Sequence, residues 1–143
     1  HLGPEPLEDN FTGDYLYERS RGMKVCIKNF VMDSRRVVGV GNIYAAEALY
    51  RAGINPKTPA RRVGRARCDL LVEAIRDILN ASIKQGGTTF SDFRNGYGEQ
   101  GYFGQSLSVY GREGEPCHRC KATIRRLVQS GRSTFYCVKC QRG

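Results

Sequence analysis

No stretch of this sequence approaches the ~20 consecutive apolar residues that cross a bilayer, and it does not open with the charged, then apolar, then small-residue order of a secretory signal. On that pattern neither a membrane span nor a cleaved leader is expected, and the chain reads as soluble and cytoplasmic. Acids are missing beyond Glu115, where seven Lys or Arg remain, and Lys and Arg are missing from residues 1–18, which hold five acids. Histidine is scarce: His1 and His118 are alone, and neither belongs to a His-rich ligand pattern. Internal repeats and low-complexity tracts are absent too, which excludes solenoids and arrays. There is no Met at the start; His1-Leu2-Gly3-Pro4-Glu5-Pro6 reads as the interior of a longer polypeptide.

What is present is basic. The net charge is +9 over 143 residues, and residues 19–143 alone carry +14. Positive charge gathered on one part of a chain attracts polyanions through its summed field and through counterion release, so nucleic acid is the leading partner. A merely solubilising surface gives the same count. A chain of this length forms one ordinary domain, or a modest domain with a small appendage whose core needs support besides burial.

Periodicity places the elements. Pro4 and Pro6 keep the opening extended. Helices are expected over Gly13 to Ser20, over Met23 to Val31 from apolar residues at 23, 27, 30 and 31, and from Asn42 to Ala52. Before the third, Gly39 and Gly41 turn the backbone and Asn42 is placed to cap the helix, which Gly53 and Pro56 close. A long helix is expected over Arg65 to Gln85, with Leu71, Ala74, Ile75, Ile78, Leu79 and Ile83 on one stripe and Gly86-Gly87 as its stop. Arg61, Arg62, Arg65 and Arg67 crowd its start, where the helix dipole disfavours cations, and are read as solvated. Residues 86–104 interleave six glycines with Phe90, Phe93, Tyr97, Tyr102 and Phe103, the composition of a long loop that can order around a ligand or simply connect. Leu107 to Tyr110, Ala122 to Val128 and Ser133 to Tyr136 read as short strands, the last two joined by Gln129-Ser130-Gly131-Arg132.

Chemistry is concentrated near the end. Cys117-x-x-Cys120 and Cys137-x-x-Cys140 are two knuckles 16 residues apart, a spacing that closes a tetrahedral thiolate site around one structural zinc ion. Two disulfides are the competing use, disfavoured by an intracellular chain and by how little a bridge within four residues would staple. With the ion counted, residues 117–143 still sum to about +5, so this finger faces phosphate. Arg132 in the finger's turn can fork onto a phosphate, and a solvated Arg fits the same position. Asn42, at a helix start behind a glycine turn, suits an anion site or an ordinary cap. Cys26 and Cys68 fall inside helical patterns without paired cysteines and read as buried free thiols.

Several stretches together resemble formamidopyrimidine-DNA glycosylases, bacterial enzymes that remove oxidised purines such as 8-oxoguanine. They are His1 to Leu7, Met32-Asp33 with Val37 to Ala45, Gly53-Ile54-Asn55-Pro56, Gln85 to Thr89 with Asp92-Phe93, Gly101-Tyr102-Phe103, Val109-Tyr110-Gly111-Arg112 and Thr134 to Cys137. The resemblance implies a mainly α fold: a helix-two-turn-helix DNA-binding domain over 1–105, then a small β-hairpin zinc finger over 106–143. It implies that Asn42 and Arg132 bind the phosphates flanking a damaged nucleotide, that Tyr110 is a further phosphate contact, and that 86–104 closes over an extruded base. The family's turn lysine falls at Arg35, a departure from the pattern. It further implies a monomeric, nucleoid-associated partner of double-stranded DNA carrying an oxidised purine or abasic site. The family's nucleophile, an N-terminal proline amine, and its neighbouring glutamate have no counterpart in this sequence, so catalysis is expected to need a further N-terminal domain. The related endonuclease VIII branch and a stand-alone, non-catalytic DNA-binding zinc module are the alternatives; Gly41-Asn42-Ile43-Tyr44-Ala45 favours the oxidised-purine branch.

Overall fold

The computed structural model describes residues 2–84 and 107–143. The helix end at Gln85, the Gly86-Gly87 stop, the aromatic loop expected at 86–104 and the boundary at 105/106 lie outside the described residues. No described helix is long and apolar enough to cross a membrane.

Helix α1 (Gly13–Ser20) starts where Thr12, with extended backbone, accepts the Tyr15 N–H at 3.0 Å, and Asp14 sits in the first turn where the helix dipole favours an anion. Helix α2 is shorter than its periodicity implies: it spans Ile27–Met32, not 23–31. The reason is tertiary, since the carbonyls of Met23 and Val25 accept the N–H groups of Arg61 and Ala60, and Cys26 bridges Pro59. The first four residues are thus drawn out as an extended edge. Cys26 precedes the helix and is only half-buried, unlike Cys68, which is fully buried as expected.

Two turns, at 34–36 and 38–39, lead from α2 into helix α3 (Asn42–Ala52). The N-terminal segment straps them down through Gly3 N–H to Ser34 O and Val38 N–H to Pro4 O, both 2.9 Å. A Cβ at Gly3 would collide with the Arg36 backbone, so only glycine permits that approach. Every residue of α3 from Ile43 to Tyr50 is buried, including Glu47. A helix covered all round is a wall between two cores rather than a surface element. It ends at Gly53 (φ 77°), as the sequence indicates.

Helix α4 (Arg65–Lys84) packs on α1 and α3. Leu71, Ala74, Ile75 and Ile78 are buried and Leu79 partly so, while Ile83, 58 % exposed, runs on past the core. The arginines at its start are not all solvated. Arg65 pairs with Asp14 at 2.7 Å, and Arg67 donates to the carbonyls of Gly53 (3.0 Å), Arg142 (2.6 Å) and Gly143 (3.3 Å). Paired acids and carbonyls offset the unfavourable dipole end; Arg61 and Arg62 stay exposed.

The remaining described sheet is one antiparallel hairpin, β1 (Arg125–Gln129) and β2 (Arg132–Tyr136), with Gln129 opposite Arg132. Its tip, Ser130 (φ 51°) and Gly131 (φ 78°), has the two positive φ values of a type I′ turn, which matches strand twist. Leu107 to Tyr110 is not a strand: it runs through bends, because its N–H groups are taken by a side chain of α3 rather than by a ladder. The larger core joins α1 to α4, and a smaller one gathers Ala46 and Tyr50 of α3 with Val109, Ile124, Phe135 and two cysteines. Tyr110 touches both.

Candidate metal centre and nucleic-acid interface

The two knuckles converge on one point. The sulfurs of Cys117, Cys120, Cys137 and Cys140 all lie within 4.8 Å of one another, with 3.7 Å between Cys117 and Cys140 and 3.4 Å between Cys120 and Cys137. A tetrahedral zinc with Zn–S bonds of about 2.3 Å separates its sulfurs by about 3.8 Å, so the donor set and spacing fit that ion. All four are free thiols, not disulfides. Each knuckle turns a backbone N–H onto its first sulfur: Arg119 N–H to Cys117 Sγ and Cys140 N–H to Cys137 Sγ, both 3.4 Å. Burial pushes the Cys117 thiol up, but the Tyr50 hydroxyl and the backbone N–H groups of Cys120 and Arg119 outweigh it and hold the group down to about 6. Burial and the three neighbouring sulfurs push Cys140 up to about 12. Four thiolates so close repel one another; a bound dication removes that conflict.

Asn42, Tyr110 and Arg132, distant in sequence, line one open groove of about 490 Å3 together with Met32, Val40, Gly41 and Ile43. Arg132 stands exposed at the start of β2, and among the described residues no carboxylate pairs with it. The hairpin tip is fixed to α2 by Asn29 Nδ2 donating to Ser130 Oγ at 2.7 Å. Tyr110 is held edge-on to Phe135, with ring centroids 4.9 Å apart. Arg35 is not brought into this groove. It is exposed, and its guanidinium binds both oxygens of Asp33 at 3.1 and 2.8 Å, holding that carboxyl well below the usual range.

Asn42 is not the helix cap expected of it. Gly41 occupies that position and Asn42 is the first helical residue, because its amide is drawn aside: Nδ2 donates to Ser133 O at 3.0 Å and Oδ1 accepts from Lys28 Nζ. The N–H groups of Asn42 and Ile43 have no intrahelical acceptor by helix geometry, so the start of α3 still offers donors and a positive dipole end.

Lys28 escapes sequence reasoning, since a Lys inside an amphipathic six-residue helix reads as solvated. It is fully buried, and Nζ also donates to Thr134 Oγ1 at 2.7 Å. Thr134 in turn donates to Gln129 Oε1 at 2.7 Å, and Gln129 Nε2 reaches Pro56 O at 3.1 Å. This chain of bonds ties α2, α3 and the finger together beneath the groove. Burial, reinforced by the Arg132 charge and opposed by Cys26, lowers the Lys28 ammonium from 10.5 to about 8. Between those values the unfolded chain holds a proton the folded chain has shed, so the stability linked to Lys28 rises with pH above about 8 and is lost as pH falls through it. Urea midpoints across this window are expected to rise for the wild type relative to Lys28→Met; parallel profiles would contradict the assignment.

Glu47 had a visible signal, a lone acid within a run of small and apolar residues. Its carboxylate accepts the N–H groups of Ser108, Val109 and Tyr110, each at 2.9 Å, and so sets where Tyr110 meets the groove. Glu47→Gln removes the charge and turns one acceptor into a donor facing those N–H groups. A loss of about 1–3 kcal/mol is expected in chemical denaturation of the metal-loaded chain.

Comparison with known proteins accounts for the pairing of these two parts. Residues 2–94 match the family model described as the formamidopyrimidine-DNA glycosylase H2TH domain, and residues 114–143 match the zinc finger found in FPG and IleRS. A formamidopyrimidine-DNA glycosylase of Syntrophotalea carbinolica is 57 % identical over 142 residues, covering 99 % of this chain and 52 % of the relative. Lactococcus lactis Fpg in complex with abasic-site DNA superposes with a TM-score of 0.85 at 34 % identity, covering 99 % of this chain and 52 % of that one. The same enzyme with FAPY-dG-containing DNA gives 0.86 at 34 % identity, covering 99 % and 51 %. The chain thus spans about half the length of the relatives it matches. Helix, two turns, helix and a four-cysteine finger that fits one structural zinc ion, with a model match over 2–94, place this chain in the formamidopyrimidine-DNA glycosylase family.

Proposed function

We propose that this chain is the DNA-gripping portion of a bifunctional glycosylase and abasic-site lyase that excises oxidised purines, 8-oxoguanine and formamidopyrimidines, from duplex DNA. The observation that carries this reading is the convergence of Asn42, Tyr110 and Arg132 on one groove, with Asn42 bonded directly to the finger strand at Ser133. The helix start offers N–H donors to one phosphate and Arg132 a forked cation to its neighbour, so the two parts hold a backbone bent at the lesion. Arg35 acts secondarily, because Asp33 already neutralises it. Solved relatives carrying abasic-site and FAPY-dG DNA favour the same partner for this chain.

Chemistry on a base inside a duplex requires the nucleotide to leave the stack and meet an amine that opens the sugar as a Schiff base. That amine belongs to the half of the enzyme's length that this chain does not span. The protein works as a cytoplasmic, nucleoid-associated monomer. Borohydride added to this chain with abasic-site duplex is expected to trap no covalent adduct, and an adduct would overturn the division of labour. Binding to the same duplex is tested by fluorescence anisotropy over a salt series, where affinity falls log-linearly. Affinity indifferent to salt would exclude a phosphate clamp.

A further inference from the structure

Tyr50 lies in the last turns of α3, 4 % exposed, with its hydroxyl 3.2 Å from the sulfur of the wholly buried Cys117. The buried cluster around it, Ala46, Val109, Ile124 and Phe135 beside Cys117 and Cys137, is otherwise apolar. A phenol in such surroundings is costly unless its O–H finds a partner, and phenylalanine would pack there without that cost. The sulfur is that partner. A cysteine bound to zinc is a thiolate with no proton to give, so the hydroxyl donates and the sulfur accepts.

Cys117 also accepts the Arg119 N–H at 3.4 Å, and the Arg119 guanidinium covers the Tyr50 ring at 4.7 Å from its centroid. Cys117 therefore accepts the Tyr50 hydroxyl in addition to the knuckle N–H groups of Arg119 and Cys120, whereas Cys137 accepts knuckle N–H groups, those of Cys140 and Lys139. The four ligands are electronically unequal. Along α3, Tyr50 stands eight residues, about 12 Å, from Asn42 at the rim of the groove.

We infer that Tyr50 is a positioning residue of the metal centre, whose hydroxyl draws charge from the Cys117 thiolate and fixes the first knuckle in register on the helix that begins with Asn42. Outer hydrogen bonds of this kind set ligand orientation and metal affinity, typically by 10- to 100-fold. Removing this one raises electron density on a single sulfur and frees the knuckle to shift.

The test compares wild type with Tyr50→Phe, which keeps the ring, using the full 143-residue chain. Loaded with Co2+ in place of zinc, the variant is expected to show its sulfur-to-cobalt charge-transfer band at longer wavelength. Its zinc dissociation constant, measured against a chromophoric chelator, is expected to rise about tenfold. Site-specific 3-fluorotyrosine at position 50, a stronger donor, moves the band the other way and covers the case in which Tyr50→Phe fails to fold. An unmoved band in Tyr50→Phe, whether or not zinc affinity changes, would mean that the hydroxyl does not act on the Cys117 sulfur, and would overturn the inference. So would an unmoved band in the fluorinated protein.

Discussion

Stripping zinc from the chain with a strong chelator is expected to dissolve the fold of residues 107–143 while α1 to α4 keep their helical signal. The finger has one two-stranded hairpin, and such a hairpin alone is marginal in water. Its apolar support is Val109, Ile124 and Phe135 against Ala46 and Tyr50, too little to hold a chain that carries seven basic side chains beyond Glu115. Structural zinc contributes about 10–16 kcal/mol in finger peptides, more than such a cluster supplies. The helical part has its own core from Phe11 to Ile78 and does not rest on the metal. It does not escape unmarked, since loss of β2 takes Thr134 from Lys28 and the Ser133 carbonyl from Asn42, leaving those two side chains bonded to each other. Amide dispersion lost in the hairpin with far-UV helicity retained is the expected pairing. A hairpin that stays dispersed without metal would contradict it.

Arg132→Ala is expected to weaken binding to a duplex with an abasic analogue by about 10- to 150-fold, the equivalent of a charge-assisted hydrogen-bond contribution of about 1.5–3 kcal/mol. The slope of log affinity against log salt should flatten by about 0.9, one phosphate contact. Fold and metal content should be untouched, because Arg132 is exposed at the tip of the hairpin and the turn beside it is held by Ser130 and Gly131. Arg35→Ala should do much less, since its charge is already matched by Asp33. Equal losses from the two substitutions, read by fluorescence anisotropy, would refute the separate roles given to them.

Local signals in the sequence located most of what positions the site. Thr12 caps the start of α1 with its side-chain oxygen, and Gly53 and Gly131 turn the chain at positive φ, so α1, the close of α3 and the hairpin were legible. The cysteine spacing was legible because a tetrahedral ion leaves few geometries. Long-range bonds were not. Met23 to Cys26 carry helical periodicity, yet pairing with 59–61 pulls them extended. Leu107 to Tyr110 has strand composition, yet Glu47 takes its N–H groups. Asn42 has the chemistry of a cap, but Ser133 and Lys28 compete for its amide and Gly41 becomes the cap. Lys28 itself leaves no trace in spacing, because its partners lie 14 and 106 residues away. A buried cation is recognisable only once its acceptors are in place.

In the proposed grip, the start of α3 and the metal-stiffened turn hold neighbouring phosphates of one damaged strand. Neutralising the phosphates around an abasic analogue one at a time, as methylphosphonates, and measuring the binding of wild type and Arg132→Ala to each duplex tests this directly. One position is expected at which the modification weakens wild type but leaves Arg132→Ala no worse, with the adjacent phosphate still costing both proteins. If the loss from Arg132→Ala is the same whichever phosphate is neutral, Arg132 makes no defined contact and the two-point grip is wrong.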